Sequence, residues 1–497
     1  MSATPAAGRA VGIIDTTLRD GQQCLWATRM TTAMMTPIAA AMEEAGFAMI
    51  DFMAPVSFDV CVRYLKEDPW EKARHFRKVF RNTPLRGYCR SKSLVGFSMV
   101  PDDIVEMWID CLHANGFGVV GTLDALFDVD NMLVSIRRAK ALGMYSVGAL
   151  VFCESPVHTD EVYARTAKAL VERGNVDAIM LKDSGALLTV DRIRTIVPAL
   201  KAVMGGRPLE LHSHCNTGLA PLVYMEAAKL GVEQLHTSIA PLASGPAQPA
   251  TQLMMRNLEA GGFRTRVDRA KVDFVSGYLE ELAAREGFPS GAAMDYDAFH
   301  YQHQMPGGMM ANWRYQLSTQ GLEHRFDEIL HEIVRIRAEL GWPIMVTPFS
   351  QIIGVQAMLN VVGGERYRAV PDEVKMYALG HFGRLLAPVD PQVLDRIVEN
   401  GSTKIPLAPQ PLPPGVPGLR ATYPDADDDE RLLRYMFPGN EVDAMRAAGP
   451  LKVSVPAGSP VARLVEALAA RPDVRYLEVS KKGARFAYSR SAMAAAT

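Results

Sequence analysis

The segment "LHSHC", residues 211–215, carries two histidines separated by one residue. On an extended chain His212 and His214 point to the same side, so their ring nitrogens can hold one ion. The segment "LRDGQQ", residues 18–23, places Asp20 between a basic residue and a glycine, directly after the apolar run "VGIIDTT". A third segment, "DAIMLKD", ends another apolar run with Lys182 next to last. A carboxylate and two imidazoles are donors that a divalent transition metal accepts, whereas a protonated lysine repels a cation. Two readings of Lys182 stay open on this ground. It forms an ordinary salt bridge with a carboxylate such as Asp183, or it is a neutral buried amine that has added carbon dioxide to become an anionic carbamate.

Residues so far apart meet only if the intervening chain delivers them to one end of a common scaffold. From Val11 to about Gly262 short β-like runs alternate with amphipathic stretches: "VGIIDTTL", "AMIDFM", "PLRGYCR", "FGVVGTLDA", "YSVGALVFCE", "DAIMLKD", "PLELHSHC" and "QLHTSIAP". Most are followed by a helical pattern, as in "PDDIVEMWIDCLHANG", where Pro101 suits a first turn and Gly116 a stop. This repetition, with no glycine-rich turn after the first strand, predicts an α/β fold of the TIM (β/α)8 barrel type over residues 1–270. In such a barrel the strands' C-terminal ends form the active site, which is where Asp20, Lys182, His212 and His214 fall.

After about Arg269 strand signals vanish, and "VDFVSGYLEELAARE" and "HRFDEILHEIVRIRAELG" predict a mainly helical domain over 271–445. Two less regular islands, "QMPGGMMANW" and "VTPFSQIIGVQA", interrupt it. The proline-rich stretch 403–430 reads as a connector or wrapped strap ending in acidic residues. Residues 446–497 read as a small α+β tail, with a strand, a helix and a hairpin around "KKG", and with "SAMAAAT" expected to lack fixed structure.

Composition narrows the function. The 53 basic and 55 acidic residues give a formal charge of -2 with no basic block, which argues against nucleic acid as a partner. No apolar run approaches the about 18 residues of a membrane span, and the N-terminus lacks a signal core. The six cysteines show neither CxxC pairs nor disulfide spacing, which fits a reducing, cytoplasmic setting.

Longer motifs then add a family. "DTTLRDGQQCLWATRM", "FDVCVRYLKEDPWE", "LKDSGALL", "LHSHCNTGLAP", "GPAQPAT", "QMPGGMMANW" and "GERYRAVPDEVKMYALGHFG" occur in order from about residue 11 to about 445. Together they resemble the carboxyltransferase component of biotin-dependent carboxylases: pyruvate carboxylase, the oxaloacetate decarboxylase alpha subunit and the transcarboxylase central subunit. The resemblance implies a zinc, manganese or cobalt ion held by Asp20, carboxylated Lys182, His212 and His214. It also implies a carboxylase-type helical domain that completes the carboxybiotin site. The implied reaction carboxylates or decarboxylates a small carboxylate, a 2-oxo acid, through a metal-stabilised enolate. Arg86 in "PLRG" matches the family arginine that binds the substrate carboxylate, with Arg90 four residues on as the second candidate for that task. Arg19 and Gln23 match residues lining the pocket, and Asp59 one that supports it. For Arg19 a purely structural pairing with an acidic neighbour is the competing reading.

The departures cluster around substrate and biotin. "MAPVS" stands where the family has "WGGAT", and Phe97 replaces a tyrosine whose hydroxyl reaches substrate. Pro246, also in the substrate pocket, replaces the threonine that moves a proton between biotin and substrate, and proline cannot do acid–base work. No "AMKM" biotin-attachment sequence and no ATP-binding segment are present. The resemblance therefore implies a homodimeric component that is served in trans by a biotin carrier protein and a biotin carboxylase subunit. Two rivals share the metal ligands: a biotin-independent lyase or aldolase on the same barrel, and a non-catalytic member of a carboxylase complex.

Overall fold

Short runs rich in Val, Ile and Leu, buried on both faces and separated by amphipathic helices, satisfy their backbone groups only by pairing in parallel inside a ring of helices. The computed structural model shows this arrangement; it describes residues 8–306, 310, 317–319, 321–454, 464, 467–468, 471, 473–481 and 484–489. Strands β1 (Gly12–Asp15), β2 (Met49–Met53), β3 (Leu85–Cys89), β4 (Val119–Leu123), β5 (Tyr145–Val151), β6 (Ala178–Asp183), β7 (Leu209–Ser213) and β8 (Gln234–Thr237) form a closed barrel in sequence order. All neighbours are parallel, and β8 closes onto β1 with Gly12 opposite Gln234 and Asp15 opposite Thr237. The TIM-barrel expectation is met strand for strand.

The surrounding helices follow their sequence signals. Helix Asp102–Ala114 starts after Pro101, carries Asp102 and Asp103 in its first turn, and buries Ile104, Val105, Trp108, Ile109 and Leu112. The chain leaves it through Gly116 at φ +96°, a left-handed conformation that favours glycine. Helix Arg269–Glu286 also belongs to the barrel's apolar core, through Val272, Val275, Leu279 and Leu282.

A second apolar core gathers helices Phe326–Glu339, Phe349–Gly363, Asp372–Ala378 and Pro391–Asn400. "VTPFSQIIGVQA", expected to be irregular, lies mostly within the helix Phe349–Gly363. That helix buries residues on most of its circumference, so its sequence has no polar stripe from which a helical period could be read. Residues 403–414 run exposed and irregular, as expected of a strap, but the rest of the stretch 403–430 does not: it forms helix Val416–Thr422, with a proline in the first turn where no backbone N–H is needed, and starts helix Asp428–Met436. At the strap's end the Asp103 carboxylate accepts from the backbone of Gly415 and Val416. The chain then returns to the barrel, where Leu419, Leu432, Leu433, Phe437, Val442 and Met445 enter the first core. In the tail, β9 (Tyr476–Lys481) and β10 (Ala484–Ser489) form the expected antiparallel hairpin. Residues 451–454 form no strand. Most of "QMPGGMMANW", most of the tail helix and all of "SAMAAAT" lie outside the described residues. Among the described residues no helix is long and apolar enough to cross a membrane.

A candidate metal centre at the mouth of the barrel

β6 and β7 run in register with Lys182 beside His212. Strand alternation turns both side chains inward, and His214 follows one step higher. After β1 the chain makes one wide turn, Thr17–Gly21, in which the Thr16 carbonyl accepts from the backbone of Arg19, Asp20 and Gly21. The buried Asp15 carboxylate pins the turn by accepting from the backbone N–H of Thr17 at 3.0 Å and from its hydroxyl at 2.6 Å. The glycine at position 21 suggests an unusual turn conformation, but its φ is an ordinary -56°. Space is the reason for glycine here: a Cβ would lie 2.2 Å from Ser238 Oγ and 2.6 Å from the Leu242 carbonyl oxygen.

The turn brings Asp20 Oδ2 to 3.0 Å from His212 Nε2 and 3.2 Å from His214 Nε2. The two Nε2 atoms are 3.2 Å apart, and Lys182 Nζ lies 3.0 Å from His212 Nε2. All four side chains are buried. Donor atoms about 2.1 Å from a common ion are separated by about 3.0–3.4 Å, so the cluster has the edge lengths of a coordination shell. Its protonation fits as well. Burial, aided by the charge of Lys182, holds His212 well below the usual imidazole range, so it is neutral with a lone pair available. His214 is oriented by donating Nδ1–H to the Pro246 carbonyl at 2.5 Å, which leaves Nε2 for the cluster. Burial pushes Lys182 down to about 8, with the charge of Asp20 opposing it. Burial opposes ionisation of Asp20, but Arg19 and then Lys182 overcome it and keep the carboxyl well below its ordinary value.

Sequence reasoning missed Gln248. Fully buried, it accepts from the Thr16 hydroxyl at 2.8 Å and donates to Asp20 Oδ2 at 2.8 Å, with its Nε2 3.2 Å from His212 Nε2. It also missed the charged floor beneath the cluster, made of Asp51, Arg86, Tyr88, Glu210 and His236. The signal was present: Glu210 precedes His212 by two in "ELHSH" and so shares its face.

Arg86 requires a correction. It lies one residue into β3, is fully buried, and pairs with Asp51 at 3.3 Å and Glu210 at 2.8 Å. A guanidinium clamped by two carboxylates deep in the barrel is not available to a substrate at the mouth. Arg90, directly after β3, lies nearer the mouth. Its Nε and Nη2 donate to the Leu94, Val95 and Gly96 carbonyls, and it lines a small cavity with Met99, Phe349 and Phe382. Depth along the strand separates the two arginines, which alternation alone does not.

The remaining candidates gather at the same end of the barrel. Arg19 bridges Asp20 at 2.6 Å and Asp51 at 3.1 Å, which is the bracing role weighed against pocket lining. Gln23, half-buried on the helix Gln22–Trp26, has a buried Oε1 with no hydrogen-bond partner among the described residues. Asp59 is bound by Arg63 at 2.7 Å, and its charge is felt at Arg90. Phe97 lies in the loop after β3 and is 44% exposed. Pro246 meets the site through its carbonyl oxygen, on His214.

Fold and site together define a (β/α)8-barrel protein with a candidate divalent-ion centre at its mouth. Residues 301–457 match the model of a conserved carboxylase domain. The chain is 38% identical over 467 residues to a pyruvate carboxylase subunit of Methanocaldococcus jannaschii, spanning 92% of this chain and 81% of that one. It is 33% identical over 390 residues to the 2-oxoglutarate carboxylase large subunit of Hydrogenobacter thermophilus, spanning 78% and 60%. Its fold matches the carboxyl transferase domain of Rhizobium etli pyruvate carboxylase with pyruvate and biocytin, at a TM-score of 0.82 and 23% identity over 96% and 84% of the chains. The chain belongs to the family of carboxyltransferase components of biotin-dependent carboxylases.

Proposed function

We propose that this chain moves a carboxyl group between carboxybiotin on a separate carrier protein and a small 2-oxo acid. The observation that carries the reading is the cluster in which Asp20 Oδ2, His212 Nε2 and His214 Nε2 lie 3.0–3.2 Å from one another, with Lys182 Nζ 3.0 Å from His212 Nε2, in a chain of this family. The relatives named for pyruvate and for 2-oxoglutarate support the substrate class. A divalent ion, zinc, manganese or cobalt, held by those four residues supplies Lewis-acid polarisation of the 2-oxo group. Arg90 offers the substrate carboxylate a charged donor at the mouth, and the amide NH2 of Gln23 is a further donor for its oxygens. A cleft of about 780 Å³ lies between Lys92, Ser98 and Met99 on the barrel and Met376, His381, Arg384 and Leu412 on the helical side. We assign it as the approach for the biotin arm, with the helical residues as its outer wall. A biotin carrier and a biotin carboxylase complete the cycle, and the chain works as a homodimer in the cytoplasm. The test uses a carrier protein bearing 14C-carboxybiotin. Label passes to pyruvate or 2-oxoglutarate only when this chain and a divalent ion are present, and no transfer to any 2-oxo acid would refute the reading.

In this reading the Lys182 amine adds carbon dioxide, and only the neutral amine reacts. Because burial lowers Lys182 to about 8, its neutral fraction grows as pH rises through that value. Incubating the metal-free protein with 13C-bicarbonate should build up the carbamate signal about twentyfold faster at pH 8.5 than at pH 6.5, at equal dissolved carbon dioxide, with one proton released to solvent for each carbamate formed. A Lys182→Ala protein should give none.

Arg90→Lys keeps the charge but removes the planar fork. It should raise KM for the oxo acid by more than about tenfold, worth about 1.4 kcal/mol, with the barrel still folded by circular dichroism although the bonds to the Leu94, Val95 and Gly96 carbonyls are weakened. Pro246 brings no proton-transferring group to the site. Pro246→Thr keeps the backbone carbonyl that holds His214 and adds a hydroxyl beside it, so biocytin-stimulated turnover should rise by about tenfold or more. Unchanged turnover would show that the proton moves through another group.

A further inference from the structure

Below the four candidate ligands the barrel is filled by a closed circuit of charged and polar side chains. Asp20 meets Arg19 at 2.6 Å, Arg19 meets Asp51 at 3.1 Å, and Asp51 meets Arg86 at 3.3 Å. Arg86 meets Glu210 Oε1 at 2.8 Å, and Glu210 Oε2 meets His236 Nε2 at 3.0 Å. His236 Nδ1 lies 3.1 Å from His212 Nδ1, and His212 Nε2 returns to Asp20 at 3.0 Å. Every member is buried. Asp51, His212 and His236 also stand close enough to share an ion, but Arg19 and Arg86 both contact Asp51, so a cation has no place there.

We propose that Glu210 and His236 are positioning residues that set the tautomer of His212 and so aim its Nε2 lone pair at the metal centre. The donors around the circuit fix the hydrogens one after another. The Glu210 carboxylate only accepts, so His236 Nε2 must carry the hydrogen between them. On the metal side, the amine of Lys182 at 3.0 Å and the amide NH2 of Gln248 at 3.2 Å both face His212 Nε2 as donors, so its hydrogen belongs on Nδ1, where it fills the contact to His236 Nδ1. With its hydrogen fixed on Nδ1, His212 presents a bare Nε2 to Asp20, Lys182 and His214. Partners that hold the ring nitrogen facing away from a metal orient ligating histidines in this way, and losing one typically costs 10–100-fold in metal affinity. The proposal rests on the metal reading given above.

Glu210→Gln tests it with almost no change in shape. Arg86 only donates, so it should hold the amide oxygen and turn the NH2 toward His236 Nε2. Each hydrogen along the path then reverses, and His212 carries its hydrogen on Nε2, where the ion belongs. In metal-free protein labelled with 15N-histidine, the wild type should show His212 as the Nδ1–H tautomer and Glu210→Gln as the Nε2–H tautomer. By chelator competition with zinc, Glu210→Gln and His236→Leu should bind at least about tenfold more weakly than wild type. His236→Gln, which can still accept from His212 and donate to Glu210, should stay within about threefold of wild type. A wild type with the Nε2–H tautomer, or a Glu210→Gln protein with unchanged tautomer and zinc affinity, overturns the proposal. Failure of the wild type to bind zinc while keeping the Nδ1–H tautomer refutes the metal reading and leaves the tautomer assignment standing.

Discussion

His212→Ala should lower carboxyl transfer by at least about 10³-fold, near 4 kcal/mol of lost transition-state stabilisation, while the protein stays folded. His212 touches Asp20, Lys182, His214, Gln248 and His236, so its loss removes the centre of the cluster rather than one edge. It is held neutral, and removing it strands no buried charge. Transfer from 14C-carboxybiotin carrier measures the first effect and circular dichroism the second. Transfer within tenfold of wild type would exclude a catalytic role for this centre. Asp20→Ala should be equally inactive but less stable, because Asp20 balances the buried Arg19 and Lys182.

Arg86→Leu should cost about 3–5 kcal/mol of stability at pH 7.5, the largest loss expected from any of these substitutions. Asp51 and Glu210 would both lose their shared cation in a fully buried site, leaving Asp51 with Arg19 and Tyr88 and Glu210 with His236. The pH dependence separates this account from a simple packing defect. In the wild type burial opposes ionisation of Asp51, but Arg86 dominates and keeps its carboxyl well below the ordinary value. Its contribution is therefore present above the unfolded-state value of about 3.9 and is lost only as pH falls below it. Without Arg86, the burial of Asp51 is opposed chiefly by His236 and Arg19, so its carboxyl should rise and the variant should gain stability as pH falls from 7.5 toward 5. Urea unfolding at the two pH values reads the difference. Equal destabilisation at both would mean that Arg86 acts through volume and not through charge.

The two arginines of β3 show where sequence stops being legible. The eight strand runs, the H-x-H pair and the position of Asp20 after an apolar run are readable because each is a local pattern with a fixed period. Alternation places Arg86 and Arg90 on one face, but whether a side chain ends at the floor or the mouth depends on where the strand stops and how it is staggered against its neighbours. That stagger is a property of barrel closure. Gln248 shows a different limit. It reaches Asp20 from a loop more than two hundred residues away, and nothing in "PAQP" marks the glutamine as a partner of Asp20. Gly21 is conspicuous in the sequence as a turn residue, yet only the packed Leu242 carbonyl reveals that space is what excludes a side chain. The helix Phe349–Gly363 is hidden because burial erases its amphipathic stripe.

The central claim is that Asp20, Lys182, His212 and His214 hold one catalytic divalent ion. Elemental analysis of the purified chain after incubation with zinc, manganese and cobalt salts, followed by removal of free metal, tests it most directly. The account predicts about one bound ion per chain in the wild type, and none in His212→Ala or Asp20→Ala proteins that remain folded. A wild-type chain that binds no ion under any of these conditions, or a folded His212→Ala protein that binds one as tightly as the wild type, would contradict it.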